Sequence, residues 1–221
     1  AAVVCNTVRR AQEIYQSIKG GDLVPAEDLI LFHARFPFAW RQEIEERVLS
    51  QFGKNGKRPK KAIVVATQVI EQSLDLDFDL MITDLAPVDL LLQRAGRLHR
   101  HERGGRPGLL ATPRLLIARL EETDGIPRWS ADGMIYEPYV LLRTHLALQG
   151  RKQVRLPTDT EALIEAVYGD EQEKPDMAPG LAEALSQARS EMVQARQQEQ
   201  DQARSRLIAQ ADNPRLMNIS E

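Results

Sequence analysis

The sequence carries a single cysteine, Cys5, so no disulfide can form within the chain, and a reducing cytoplasm is the expected compartment. Aromatic residues are only 5% of the 221 positions, which leaves aliphatic side chains to build the core. No run of about 18 uncharged apolar residues occurs, so no membrane span is expected. The opening stretch Ala1-Ala2-Val3-Val4-Cys5 has no basic start and no signal-peptide cleavage pattern. The only glycine-lysine cluster, Gly53-Lys54-Asn55-Gly56-Lys57, lacks the spacing of a phosphate-binding P-loop and reads as a basic turn. No internal repeat occurs.

Hydrophobic residues make up 43% of the chain, enough for one α/β domain and an appended segment. The net charge is -3, unevenly spread. Up to Arg114 there are 17 Lys and Arg against 14 Asp and Glu; the remainder has 12 against 18. A mildly basic front and an acidic tail are compatible with nucleic-acid contact without demonstrating it.

Short apolar runs at 2–5, 29–32, 62–66, 80–85 and 115–120 read as buried strands. Between them lie helical periodicities over 7–19 and 40–52, and a helix starting at 87–92. This alternation predicts an α/β fold with a mostly parallel sheet and helices on both faces. Composition then shifts. Residues 121–138 are rich in Gly, Pro and polar side chains and read as a linker between a domain at 1–120 and a helical segment at 139–221. Within that segment, Thr158 and Glu161 have the spacing of a capping box, and 177–210 reads as a weakly amphipathic helix. A strand at residue 1 is expected of a piece of a longer protein.

Two stretches carry chemistry. Gln93-Arg94-Ala95-Gly96-Arg97-Leu98-His99-Arg100 follows an apolar helix and holds four basic side chains. If the segment is helical, its arginines point to overlapping sides and need an anion or open water; the plainer alternative is a solvated basic helix end. Upstream, Thr67 to Asp77 follows a strand, at the edge where ligands bind in open α/β sheets. There Thr67 suits a phosphate and Asp75 a ribose hydroxyl, with helix capping as the alternative for both. His99 and His101 lack a third ligand at useful spacing, so no metal is expected. Asp75, Asp77, Asp79 and Asp84 are not expected to form a nuclease centre.

In this order the two stretches resemble motifs V and VI of superfamily 2 helicases. The run from Val64 to His101, VVATQVIEQSLDLDFDLMITDLAPVDLLLQRAGRLHRH, resembles the helicase–nuclease of type I CRISPR interference systems. The resemblance extends to Cys5–Ala11, Leu31–Phe36 and the segment 156–169, covering about residues 1–170. It implies the second RecA-like lobe of a motor that binds ATP between two lobes. By position, Arg97 and Arg100 match arginines that reach the γ-phosphate, and Gln93 a residue coupling nucleotide to nucleic acid. Ser73 and Asp75 match the ATP-facing end of motif V. Asn6, Thr7, His33, Arg35, Thr67 and Gln68 match positions along the nucleic-acid track. Arg94 reads as structural or interlobe. Thr7 also fits an ordinary N-cap, and His33 a partly buried loop histidine.

The resemblance further implies single-stranded DNA and a guide-RNA surveillance complex as partners, with ATP and Mg²⁺ held mainly by a first lobe absent from these residues. A nuclease domain is likewise absent, so the isolated chain is expected to be inactive. The alternatives are a lobe of another superfamily 2 DNA or RNA helicase and a non-enzymatic RecA-like interaction module.

Overall fold

A computed structural model describes residues 1–71, 74–123, 125–128, 135–170, 177 and 179–206. In chain order the front part runs β1 (Ala2–Val4), α1 (Val8–Gly20), β2 (Leu29–Phe32), α2 (Phe38–Phe52), β3 (Ile63–Ala66), β4 (Leu80–Thr83), α3 (Val88–Ala95) and β5 (Arg114–Ile117). The five strands form one sheet in the order β2-β3-β1-β4-β5, and every pairing is parallel. The expected α/β fold is therefore the observed one.

Alternation along each strand divides the core. Ala2, Val4, Ile30, Phe32, Val64 and Ala66 pack beneath Val48 and Phe52 of α2. Val3, Cys5, Leu29 and Val65 face Ala11 of α1 on the other side, with Ile14, Tyr15 and Ile18 around them. Strands buried on both faces read as unbroken apolar runs, which is why they were legible. Cover on the α1 face ends beyond β1. Ile82 and Leu116, register partners on β4 and β5, are 38% and 50% exposed. One helix of about 10 Å diameter spans only two or three strands at about 4.8 Å spacing.

Thr7, just past β1, starts α1: its hydroxyl accepts from the Arg10 amide at 3.1 Å. Replacing a threonine N-cap with alanine costs about 1 kcal/mol. Thr7→Ala is thus expected to lower the unfolding free energy by about 1 kcal/mol in urea denaturation, shifting the midpoint down with an unchanged slope.

Behind the sheet, β6 (Glu122–Thr123) and β7 (Ile126–Pro127) form a short antiparallel hairpin within the composition-shifted stretch. Three helices follow: α4 (Pro138–Leu148), α5 (Thr160–Tyr168) and α6 (Pro179–Arg206). Helix α4 is central. Val140 and Ala147 pack with Leu163 and Val167 of α5 and with Val88 of α3. Tyr139 and Leu142 pack with Leu181, Leu185 and Met192 of α6. The described side chains of α6 beyond Met192 are all exposed, in keeping with its weak amphipathicity. The capping box does not form. Asp159 takes the N-cap position of α5, and its carboxylate turns back to accept from the Arg155 amide at 2.8 Å.

Candidate nucleotide and nucleic-acid site

All five strands run the same way, so their carboxyl ends share one edge of the sheet. That edge collects Asn6 after β1, His33 after β2, Thr67 and Gln68 after β3, and Asp84 after β4. A polar network joins Asn6, Gln68 and Asp84. The Asn6 amide donates to Asp84 Oδ2 at 3.0 Å, and its side-chain Nδ2 donates to the Leu85 carbonyl at 2.7 Å. Gln68 Nε2 donates to the Asn6 carbonyl at 2.9 Å and to the Tyr136 hydroxyl at 3.1 Å. Arg10 pairs with Asp84 at 2.8 Å.

His33 is buried and stacks on Phe36 with ring centroids 4.1 Å apart; its Nε2 lies 3.5 Å from Gln12 Nε2. Burial pushes its pKa down, so the ring is neutral at pH 7. Arg35 is exposed beside it. Thr67 is buried, with its amide bonded to the Phe32 carbonyl at 3.2 Å. Of these residues Arg35 projects most freely, whereas Asn6, His33 and Thr67 stand behind the edge and shape it. Asp84, Arg10 and Tyr136 complete the network. In the sequence Arg10 and Tyr136 carry no signal and Asp84 reads only as a member of an acidic cluster, because their partners lie far along the chain.

The arginine-rich segment does not continue as a helix. Helix α3 ends at Ala95 with Gly96 as its C-cap, so Arg94, Arg97 and Arg100 do not share a helical face. Arg94 points inward and is fully buried. Its Nε donates to Glu71 Oε1 at 2.7 Å, and its Nη1 to Thr83 Oγ1 at 2.5 Å and to the Asp84 carbonyl at 3.2 Å. Burial pushes the Glu71 carboxyl up against the opposing pull of Arg94.

After Gly96 the chain leaves the helix and lies along Phe78. The Phe78 amide donates to the Arg97 carbonyl at 2.8 Å, and the His99 amide donates to the Phe78 carbonyl at 3.0 Å. His99 adopts φ 47°, left-handed backbone that costs a non-glycine residue about 1–3 kcal/mol. Arg97 is half-buried and Arg100 exposed. The half-buried Arg97 guanidinium donates to the Glu71 carbonyl at 3.0 Å and to the Leu74 carbonyl. Both acceptors are neutral. Burial and the neighbouring Arg100 both lower its pKa, as expected of a positive charge held without a salt bridge.

Arg100 Nε donates to Asp75 Oδ1 at 2.7 Å, and His101 Nε2 lies 3.0 Å from the same oxygen. Desolvation raises the Asp75 carboxyl, but His101 and Arg100 outweigh it and hold the pKa below the usual carboxylate range. Asp75 also borders a shallow pocket lined by Ser50, Gly53, Lys54, Gly56 and Lys57. Gln93 is exposed near the end of α3. Ser73 lies outside the described residues. This donor set, the Arg97 and Arg100 guanidiniums with two lysines lining the pocket beside Asp75, fits a polyphosphate. Among the described residues, no group of three or more His, Cys, Asp or Glu side chains is placed to hold a metal ion.

A family model described as CRISPR-associated nuclease/helicase Cas3, C-terminal, matches residues 1–103. The chain matches the C-terminal region of Cas3-type CRISPR helicase/nucleases. A CRISPR-associated endonuclease/helicase Cas3 of Thermus thermophilus is 41% identical over 250 residues, covering 95% of this chain and 26% of that protein. A crystal structure described as a CRISPR-associated protein superposes with TM-score 0.85 at 42% identity, covering 91% of this chain and 23% of that one. The crystal structure of T. fusca Cas3-ADP gives TM-score 0.77 at 37% identity over 92% of this chain and 23% of that one. A CRISPR RNA-guided surveillance complex, pre-nicking, contains a chain that gives TM-score 0.68 at 39% identity, covering 85% of this chain and 24% of that one. The chain thus spans about a quarter of the length of these Cas3 proteins. Among the described residues no helix is long and apolar enough to cross a membrane.

Proposed function

We propose that this chain is the second motor lobe of a Cas3-type helicase, acting on single-stranded DNA in CRISPR interference in the cytoplasm. Residues 1–120 form the RecA-like lobe, 121–138 connect it, and 139–221 belong to the C-terminal region. The observation that carries this reading is the Arg97 guanidinium, half-buried and hydrogen-bonded to the Glu71 and Leu74 carbonyls of the segment after β3. ATP lies between this lobe and a first lobe that holds the P-loop and Mg²⁺. Arg97 and Arg100 meet the γ-phosphate as the lobes close, supplying positive charge where negative charge develops. Asp75, with Ser73, faces the nucleotide and holds Arg100 in waiting. Gln93 relays nucleotide state to the DNA side.

DNA runs across the carboxyl edge. Arg35 contacts its phosphates, while Asn6, Thr7, His33, Thr67 and Gln68 line and brace the track. These are backbone contacts, so no sequence preference is expected. A surveillance complex delivers the DNA; one similar chain belongs to a CRISPR RNA-guided surveillance complex.

The test is steady-state ATP hydrolysis by this chain assembled with its first lobe, with single-stranded DNA and with single-stranded RNA. DNA-stimulated turnover is expected, and none from the chain alone. Stimulation by RNA in place of DNA would move the assignment to an RNA helicase. Turnover by the isolated chain would overturn the division of labour between the lobes.

A further inference from the structure

Asp77 is the most enclosed carboxylate of the acidic stretch, with no exposed surface. Three arginines surround it. Arg103 Nε donates to Oδ2 at 2.6 Å, Arg106 Nη2 spans both oxygens at 3.0 and 2.9 Å, and an Arg58 nitrogen lies 3.5 Å from Oδ2. Asp79 shares two of them, accepting from Arg58 Nη1 at 2.8 Å and from Arg106 Nη1. Two carboxylates and three guanidiniums thus form one cluster. Desolvation works against the Asp77 carboxylate, yet Arg106, Arg103 and Arg58 keep its pKa below the usual range.

The location of the cluster matters more than its stability. Between the two carboxylates stands Phe78, whose amide and carbonyl hold Arg97 and His99. Arg106 then reaches back over this segment and donates to the His101 carbonyl at 2.8 Å. The stretch 97–101 is consequently held from both ends: by the backbone of Phe78 at Arg97 and His99, and by Arg106 at His101. Arg97 and Arg100 lie inside that span. Arg103 adds a third tie, donating to the Gly53 and Lys54 carbonyls at 2.7 and 3.0 Å, so the basic loop bordering the Asp75 pocket joins the same assembly.

We infer that Arg106, anchored on Asp77, Asp79 and the His101 carbonyl, is a positioning residue that sets the reach of the Arg97 and Arg100 guanidiniums. This rests on the proposed role of those two arginines at the nucleotide. A cation that must arrive at a phosphate in a fixed pose gains nothing from charge alone, and a misplacement of about 1 Å costs on the order of 10²-fold in rate. Arg106 touches no nucleotide in this scheme. It acts by removing freedom from the loop that does.

The experiment is a double-substitution cycle in the assembled two-lobe motor. Turnover number and ATP KM are measured with saturating single-stranded DNA for the unsubstituted protein, Arg106→Gln, Arg97→Ala and the pair together, with a melting temperature for each. Arg106→Gln is expected to lower kcat roughly 10–100-fold with little change in KM. In the Arg97→Ala background it is expected to change kcat by at most a few-fold, because only Arg100, the smaller contributor, remains to be positioned. Arg106→Lys keeps the charge and loses the fork; it is expected to melt closer to the unsubstituted protein than Arg106→Gln and still to lower kcat, and it replaces Arg106→Gln if that variant does not fold. An unchanged kcat in a folded Arg106 variant would overturn the inference. So would losses that multiply in the double variant, since a purely structural role acts equally in either background. Full activity of Arg97→Ala would instead remove the finger reading beneath it, an outcome separate from the other two.

Discussion

Arg97→Ala is expected to abolish DNA-stimulated ATP hydrolysis by the assembled motor, by about 10³-fold or more, while leaving DNA affinity within a few-fold. The magnitude follows from how the side chain is held. Both hydrogen bonds of its guanidinium go to neutral carbonyls, at Glu71 and Leu74, so the cation is oriented without being neutralised. A charge kept in this state is available in full to a phosphoryl group at the moment of transfer. Arg97→Lys is expected to fail nearly as badly, because one ammonium cannot bridge two carbonyls and still face outward. Arg100→Ala should cost less, since Arg100 begins in a salt bridge with Asp75 that must be exchanged for the phosphate. Steady-state hydrolysis and DNA binding titrations on the same preparations check each part.

The second large effect concerns folding. Arg94 has no exposed surface, and Glu71 beside it is nearly closed from solvent. Removing one partner of such a pair leaves an uncompensated buried charge, which costs about 3–5 kcal/mol. Arg94→Ala is therefore expected to lose that much in urea denaturation, and also to loosen Thr83 and Asp84 at the end of β4. Replacing both members, as Arg94→Met with Glu71→Leu, should recover much of the loss, because desolvation of both charges is then avoided. Burial already raises the Glu71 pKa, which argues that the ion pair itself adds little net stability. If Arg94→Ala melts like the parent, the pair does not hold this edge of the sheet.

The strands were legible because burial on both faces leaves no room for polar residues, and the helices because their apolar stripes recur at helical spacing. The inward turn of Arg94 was not legible in the same way. Spacing alone makes Arg94, Arg97 and Arg100 look equivalent, and what separates them is Glu71 and Thr83, 23 and 11 residues away. The acidic stretch shows the same limit. Its carboxylates read as a cluster unsuited to a nuclease, but the arginines that occupy them, Arg58, Arg103 and Arg106, lie on two other loops. The Thr158 capping box had the right letters at the right spacing, yet the chain spent Asp159 on the preceding turn instead. Roles at the nucleotide and DNA came from the resemblance of whole motifs, since no single residue type at one spacing distinguishes a finger from a solvated arginine.

Helix α3 is eight residues long, about 12 Å, too short to bend appreciably. Its ends and sides are all engaged. Leu91 and Arg94 grip the sheet, Val88 and Leu92 pack on α4 and α5, Asp89 accepts from the Tyr168 hydroxyl of α5, and the loop bearing Arg97 leaves its final turn. A stiff rod fixed in this way cannot absorb displacement. A shift at the arginines that carries α3 with it is expected to reach α5 and, through α4, α6. A fluorescent probe on exposed α6 is then expected to register events at a site it never touches.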